Sequence, residues 1–307
     1  MEPSFSEVAA LWKEDKRRYV KKSTYAVYSQ LCNKCILPYF KDCGKPDEPA
    51  VQAFADSMLS EGYAIKTVKD TMLILNMILR YGEKLHAWPH EDITIHYPSD
   101  TEQTHRLCTL SPDNQQKILN YVRQNFSLKN LGLLICLQSG LRIGELCGLK
   151  WEDLDPSAGV ILVNKTVQRI FISDGQLKEN FLSVDTPKTP SSIRDIPMTS
   201  ELRSLIRPLR KIMNPHHYML SNDSAPVEPR AYRLYYKRLL AKLEIPQVRF
   251  HALRHSFATR CIQSKCDYKT VSAILGHSSI TTTLDLYVHP GYSEKKLAIE
   301  RMARSLG

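Results

Sequence analysis

Two arginines, two histidines, a lysine and a tyrosine stand in a fixed order along this chain, and together they have the chemistry to move a phosphoryl group. Arg142 lies in Ser139-Gly-Leu-Arg142-Ile-Gly-Glu145-Leu, Lys188 in Thr186-Pro-Lys188-Thr-Pro190, and His251 and Arg254 in His251-Ala-Leu-Arg254. His277 and Tyr287 close the series. Transfer through a tyrosine needs cations to hold a phosphate, a proton donor for the leaving alkoxide, and a phenol that attacks. A free phenol has a pKa near 10, so only about one in a thousand is ionised at pH 7. Neighbouring cations or a base must therefore assist the attack.

Taken singly, each piece also has a plainer reading. Arg142 and Glu145 are three residues apart at the start of a predicted helix and share a face. A carboxylate there braces the guanidinium without using all five of its donors. Gly140, Gly144 and Gly148 recur every four residues; each glycine inside a helix costs about 1 kcal/mol against alanine, so close packing or backbone access to a phosphate is expected. His251 and Arg254 again share a face, and the flanking Phe250, Leu253, Phe257 and Ala258 imply a largely buried helix. A buried His and Arg need polar company, which a phosphate supplies. Two arginines can clamp the non-bridging oxygens, and losing one such donor typically costs about 10²–10³ in rate. Lys188 sits in a turn, where most lysines are merely solvated, yet a compact ammonium on a hairpin can deliver a proton to a leaving oxygen. His277 follows Leu275-Gly276, read as a helix end, and precedes a Ser/Thr-rich loop. A tyrosine on its own is more often core than nucleophile.

The elements that must position these groups fall into two parts. Ser4-Phe-Ser-Glu7 reads as a capping box, with Phe5, Val8, Leu11 and Trp12 on one face of the helix that follows. A second helix starts at Ser23 or Thr24 and stops at Pro38; a third spans 48–60, ended by Gly62; a fourth spans 67–83, with Val68, Leu75, Ile78 and Leu79 toward a core. Residues 1–97 thus form a helical bundle with nothing catalytic in it, and the polar, aperiodic stretch 98–110 reads as a linker. Residues 111–307 form the second domain. Ser111-Pro112 caps a helix over 112–124, followed by helices at 128–138 and 142–150. Segments 159–172, 178–187 and 193–198 are read as a three-stranded antiparallel sheet. Helices are expected again at 200–212, 229–243, 252–263, 268–275 and 293–304. The fold class is α+β, mainly α with a small antiparallel sheet.

Composition points to an anionic partner. The net charge of +10 is unevenly placed: residues 1–97 carry 13 Lys+Arg against 13 Asp+Glu, leaving 29 against 19 in residues 98–307. A basic domain of this kind suits sequence-independent phosphate contact. The neutral first part still holds a local cluster, Lys13, Lys16, Arg17, Arg18, Lys21 and Lys22, and we add Lys66 and Lys69 as candidate phosphate contacts. The longest apolar runs, Leu131 to Leu137 and Met72 to Leu79, fall far short of the roughly 20 residues a membrane span needs. With no signal-peptide pattern either, the expected location is the cytoplasm. Eight cysteines in such a chain do not read as a disulfide framework. Cys32-Asn-Lys-Cys35 has zinc-ligand spacing but nothing to complete four ligands, so no metal is expected there.

In order, Arg142, Lys188, His251, Arg254, His277 and Tyr287 resemble the active-site series of the tyrosine recombinases, the phage integrase family. The strings Ser-Gly-Leu-Arg-Ile-Gly-Glu-Leu, Pro-Lys-Thr, His-Ala-Leu-Arg-His-Ser-Phe-Ala-Thr and Leu-Gly-His-Ser-Ser-Ile-Thr-Thr-Thr are all similar to that family, weakly before Leu110 and strongly after it. The resemblance implies a helical core-binding domain (SAM-like) and a catalytic domain that clamp double-stranded DNA between them. It implies attack by Tyr287 on the scissile phosphate, a 3′-phosphotyrosine bond and a free 5′-hydroxyl. Arg142, Arg254 and His277 would hold the phosphate, Lys188 would protonate the 5′-oxygen, and His251 would be the acid/base near the tyrosine. No ATP and no metal are implied, and the sequence has no P-loop. The implied assembly is a tetramer on two DNA sites, with room for an accessory excision factor. An N-terminal arm-binding domain found in many integrases is not expected in this chain. Motif wording favours mobile-element integration or excision over Xer-like resolution or inversion; a type IB topoisomerase and a catalytically silent DNA-binding regulator are more distant alternatives. The terminal helix, with Leu297, Ala298 and Met302 as a narrow apolar stripe, is expected to dock on a neighbouring subunit rather than on its own.

Overall fold

The structure, a computed structural model, describes residues 3–41, 43–89, 91–98, 109–174, 177–187, 192–287 and 292–304. By internal contact it divides into two units: Met1–His105 together with Arg169–Phe181, and Arg106–Gln168 together with Leu182–Gly307. No helix among the described residues is long and apolar enough to cross a membrane.

The first unit is a helical bundle. Helix α1 (Phe5–Tyr19) opens with the expected capping box: Ser4 N–H donates to the Glu7 carboxylate at 2.8 Å and Glu7 N–H donates to Ser4 Oγ at 3.3 Å. Helix α2 (Lys22–Leu31) does not run on to a stop at Pro38. It passes through a π-helical turn (Cys32–Ile36) into α3 (Leu37–Phe40), which contains the proline. The wider turn, in which Leu37 N–H reaches back five residues to Cys32 C=O, shifts the hydrogen-bond register just where a proline has no N–H to offer. Cys32 and Cys35 are core residues beside Phe5, Trp12 and Phe40, and burial pushes the Cys32 thiol up to about 11. Helices α4 (Glu48–Ser60) and α5 (Ile65–Lys84) complete the bundle, with Gly62 at φ +85° turning the chain between them. The expected core positions Val68, Leu75, Ile78 and Leu79 are all buried.

The same unit holds part of a two-stranded ribbon, β3 (Thr166–Asp174) and β4 (Leu177–Asp185). Ile170 and Ile172 bury against Tyr25, and Asp174 accepts bonds from Lys13 Nζ and Tyr25 Oη, each at 2.5 Å. Burial opposes ionisation of Asp174, but these donors hold its carboxyl below the usual range.

In the second unit, helices α6 (Pro112–Gln124), α7 (Leu128–Ser139), α9 (Ser200–Ile212) and α10 (Pro229–Lys242) surround a core built on Trp151, Ile118, Leu133, Ile161 and Tyr232. The expected single three-stranded sheet is in fact two sheets. Segment 159–172 breaks into β2 (Val160–Val163) and β3, and the antiparallel sheet is β1 (Leu154–Asp155), β2 and β5 (Arg194–Pro197), in register Ile161 to Ile196 and Val163 to Arg194. The break falls at Asn164 and Lys165, two polar residues between two strand-like runs that read as one segment.

Candidate active site

Four short elements of the second unit bring the chemistry together: α8 (Ile143–Gly148), α11 (His251–Gln263), α12 (Tyr268–Leu275) and α13 (Ile280–Tyr287). Arg142 is the residue just before α8. Its backbone N–H donates to Glu145 Oε2 at 2.9 Å and its guanidinium to Glu145 Oε1 at 2.8 Å. The glycine series is a packing feature. A Cβ at Gly144 would meet the Val167 carbonyl at 2.8 Å and one at Gly148 the Lys165 carbonyl at 3.2 Å, so the chain at the start of β3 lies directly on α8. Gly140 is not inside a helix; at φ +66° it caps α7.

The end of α12 is the hub. Gly276 adopts φ +66°, its N–H returns to Ala273 C=O, and His277 N–H reaches Ser272 C=O at 3.1 Å. This turn leaves the next carbonyls, of Ile274, Leu275 and Gly276, without helical donors. Arginines take them. Arg254, only 2% exposed, gives Nη2 to Leu275 C=O at 2.7 Å and Nη1 to Gly140 C=O at 3.0 Å. Arg142 reaches Leu275 and Gly276 C=O at 3.4 and 3.3 Å, and Arg194 Nε reaches Ile274 C=O at 2.5 Å. Two carbonyls occupy two of the five Arg254 donors, so the rest can serve an anion. Burial, then the charge of Arg142, brings the Arg254 pKa down to about 9.

Arg194 is a residue the motif reading missed. Its guanidinium meets both oxygens of Glu145, at 3.1 and 3.0 Å, so one buried carboxylate braces Arg142 and Arg194 together. Burial works against the charge on Glu145, but Arg194 first and Arg142 after it outweigh that and lower its pKa. The signal was present: Ile196 points inward on β5, and a period of two puts Arg194 on the same face.

His277 and Tyr287 are joined by a helix, not the expected loop. Residues 280–287 carry three threonines and an isoleucine, which score as strand or turn, yet they fold as α13, with Tyr287 its last residue. His277 Nδ1 lies 2.8 Å from Oγ1 of the buried Thr283. Burial, then the charges of Arg254 and Arg142, lowers the His277 pKa to about 4, so the ring is neutral near pH 7. In the tautomer whose Nδ1 accepts from Thr283, Nε2–H is free to donate to an anion.

The hydroxyl of Tyr287 is bonded to His255, not to His251. His255 Nδ1 sits 2.7 Å from the phenolic oxygen, and the ring of His251 packs edge-on against His255 at 4.5 Å. His251 stays exposed at the surface, and desolvation of its packed side with the nearby charges of His255 and Arg254 brings it down to about 4. The Tyr287 phenol, 9% exposed, is raised by burial and drawn back by Arg254 and Arg142. Nothing in the string His-Ala-Leu-Arg-His distinguishes the second histidine from an ordinary helix residue. Lys188 lies outside the described residues.

The basic residues of the first unit differ in availability. Lys13 is half-buried and committed to Asp174 and Asn33, which competes with any phosphate contact. Lys16 pairs with Asp15, Arg17 with Glu179 at 3.8 Å and Arg18 with Glu14 at 2.6 Å, while Lys22 lies over the Phe181 ring. Lys21 and Lys66 are exposed, and Lys69 lies over Tyr97. Among the described residues no group of three or more His, Cys, Asp or Glu is arranged to hold a metal.

Cations and a neutral histidine thus gather around one helix end, with a buried phenol on the next helix, an arrangement with the donors to hold a phosphate. Comparison with known proteins gives the class its name. The phage integrase family model matches residues 109–294, and a model of its N-terminal SAM-like domain matches residues 4–44. The first match alone spans more than half of the chain, which belongs to the phage integrase family, the tyrosine recombinases. A XerC-like tyrosine recombinase of Caldanaerobacter subterraneus is 26% identical over 82% of this chain and 69% of its own. The ICEBs1 integrase of Bacillus subtilis is 26% identical over 88% and 74%. The structure of the Tn1549 transposon integrase with a circular intermediate DNA superposes with a TM-score of 0.74 at 24% identity, over 96% of this chain and 99% of that one.

Proposed function

We infer that this chain is a site-specific DNA recombinase that cuts and rejoins double-stranded DNA through a covalent link at Tyr287, in the integration or excision of a mobile element. The observation that carries this is the meeting of Arg142, Arg254 and His277 around the end of α12, with Tyr287 on the helix that follows. In this reading the scissile phosphate sits against the three groups, whose charge and N–H donors offset the extra negative charge of the pentacoordinate transition state. The Tyr287 oxygen attacks phosphorus in line with the 5′-oxygen, which leaves with a proton from Lys188. The bond energy is kept in the 3′-phosphotyrosine, and the reverse attack by a 5′-hydroxyl rejoins the strand. Glu145 and Arg194 act as positioning residues for Arg142.

A relative named as the transposase of transposon Tn916 favours integration or excision of a mobile element; a XerC-like relative supports resolution as the second reading. The site of action is the cytoplasm, where its DNA lies. The working assembly is a tetramer on two DNA sites, an accessory excision factor being a further partner. Residues 1–97, with the cluster from Lys16 to Lys22 and with Lys66 and Lys69, serve as the core DNA-binding domain and residues 111–307 as the catalytic one, joined by 98–110.

A nicked suicide substrate, whose short fragment bearing the free 5′-hydroxyl diffuses away after cleavage, tests the reading. The native protein is expected to accumulate a covalent protein–DNA adduct, and Tyr287→Phe is expected to bind the same DNA and form none. An adduct that persists in Tyr287→Phe would remove Tyr287 as the nucleophile.

A further inference from the structure

We propose that His255 is the proton acceptor for Tyr287, a catalytic role that falls to this histidine rather than to His251. This rests on the reading of Tyr287 as nucleophile. His255 Nδ1 is 2.7 Å from the Tyr287 oxygen, an O–H···N distance at which the phenol donates directly into the imidazole lone pair. The rings meet at 5.6 Å between centroids, inclined by 53°, so the bond is held by two packed side chains on separate helices, α11 and α13. His251 instead packs perpendicular to the His255 ring and remains exposed.

The surroundings suit the role. His255 is held below the usual histidine range, by burial first and by Arg254 next, so it is neutral and able to accept at pH 7. The charged and titratable groups recorded around this pair are Arg254 and His251 on the same helix, Arg142 at the start of α8, and the phenol itself on α13. Arg254 and Arg142 favour the tyrosinate. They disfavour a charged histidine, which makes the transfer readily reversible. Such reversibility suits a reaction that must run backward to rejoin the strand.

The balance is simple. As the Tyr287 oxygen bonds to phosphorus, its proton passes to His255 Nδ1, giving an imidazolium. The P–O5′ bond breaks and its electron pair leaves with the 5′-oxygen, which is protonated separately. On rejoining, the 5′-hydroxyl attacks phosphorus and gives its proton back to the group that protonated it, Lys188 in this reading, while the Tyr287 oxygen leaves and His255 returns its proton.

Two measurements of single-turnover cleavage on the suicide substrate test this. In His255→Asn the amide oxygen takes the place of Nδ1 and still accepts the phenol's hydrogen bond, but it takes up no proton in this pH range. Cleavage at pH 7 is expected to fall by about 10²–10⁴, with binding retained, and the rate is expected to climb steeply with pH because only ionised phenol then attacks. A rate near that of the native protein, or a slow rate with the native pH profile, would overturn the role. The second measurement puts 3-fluorotyrosine, a more acidic phenol, at position 287. If His255 takes the proton, the acid limb of the profile stays where the histidine sets it. A limb that moves down with the phenol's own pKa would show that no base intervenes. Should Tyr287→Phe still form the adduct, the nucleophile assignment itself fails; should Tyr287→Phe be silent while His255→Asn is fully active, only the proton route fails.

Discussion

Arg194 and Glu145 form a two-pronged ion pair at 3.1 and 3.0 Å, with their side chains 7% and 4% exposed. The same carboxylate holds Arg142, whose guanidinium is one-third exposed and so can reach a ligand. The pair therefore ties the strand before α9 to Arg142. Its contribution depends on the negative charge, since both guanidinium groups lie within its reach.

Glu145→Gln keeps the shape and removes that charge. Breaking a buried pair by neutralising one partner costs about 3–5 kcal/mol, and the expected urea midpoint falls accordingly. Cleavage is expected to fall as well, since Arg142 loses its brace, while Arg194→Lys should be milder in stability than in rate. An unchanged urea midpoint in Glu145→Gln would mean the carboxylate is not what anchors the two arginines.

Acid should weaken the second unit before it affects carboxylates. His251 and His277 are lowered from 6.5 to about 4, and His255 is lowered too. Each is held neutral in the fold and takes up a proton more easily when unfolded. The stability this represents is complete above about pH 6.5 and is lost as pH falls from there toward 4. Thermal melts are expected to shift down between pH 7.5 and pH 5, and His277→Asn should flatten part of that slope. A melting temperature constant over this interval would contradict the suppressed protonation of these rings in the fold.

Much of this was legible in the sequence, and the failures have physical reasons. Helix starts with local signals, Ser4 with Glu7 and Ser111 with Pro112, came out where the side chains cap the chain. Long periodic helices did so too. α13 did not, because Ile280-Thr-Thr-Thr has a strand-like local preference that packing of Thr283 and Tyr287 overrides. The π turn before Pro38 is invisible to a rule that reads proline as a stop. Arg142, His277 and Tyr287 could be picked out by their strings, but Arg194 and His255 owe their places to tertiary contacts across 49 and 32 residues.

Lys188→Ala is expected to cleave ordinary DNA slowly and a 5′-bridging phosphorothiolate at close to the native rate. The sulfur leaving group needs no proton, so an acid becomes dispensable. Equal impairment on both substrates would remove Lys188 as the acid and leave it a binding residue.

Helix α14 (Tyr292–Arg304) offers Tyr292 and Ile299 to solvent, 84% and 63% exposed. Such a terminal segment is expected to bind a neighbouring subunit. Removing residues 292–307 should leave folding and single-site binding intact and abolish the four-subunit complex with two DNA sites. Native electrophoresis decides it: a truncated protein that still forms that complex would refute the role.

The most direct test of the account is to find where the DNA is attached. The adduct trapped on a nicked suicide substrate can be digested with nuclease and protease, and the residue bearing the remaining nucleotide identified by mass spectrometry. The account requires a nucleotide on the Tyr287 side-chain oxygen and on no other residue. A nucleotide on Tyr292, Tyr268 or any other side chain would contradict it, however closely His255 holds the Tyr287 hydroxyl.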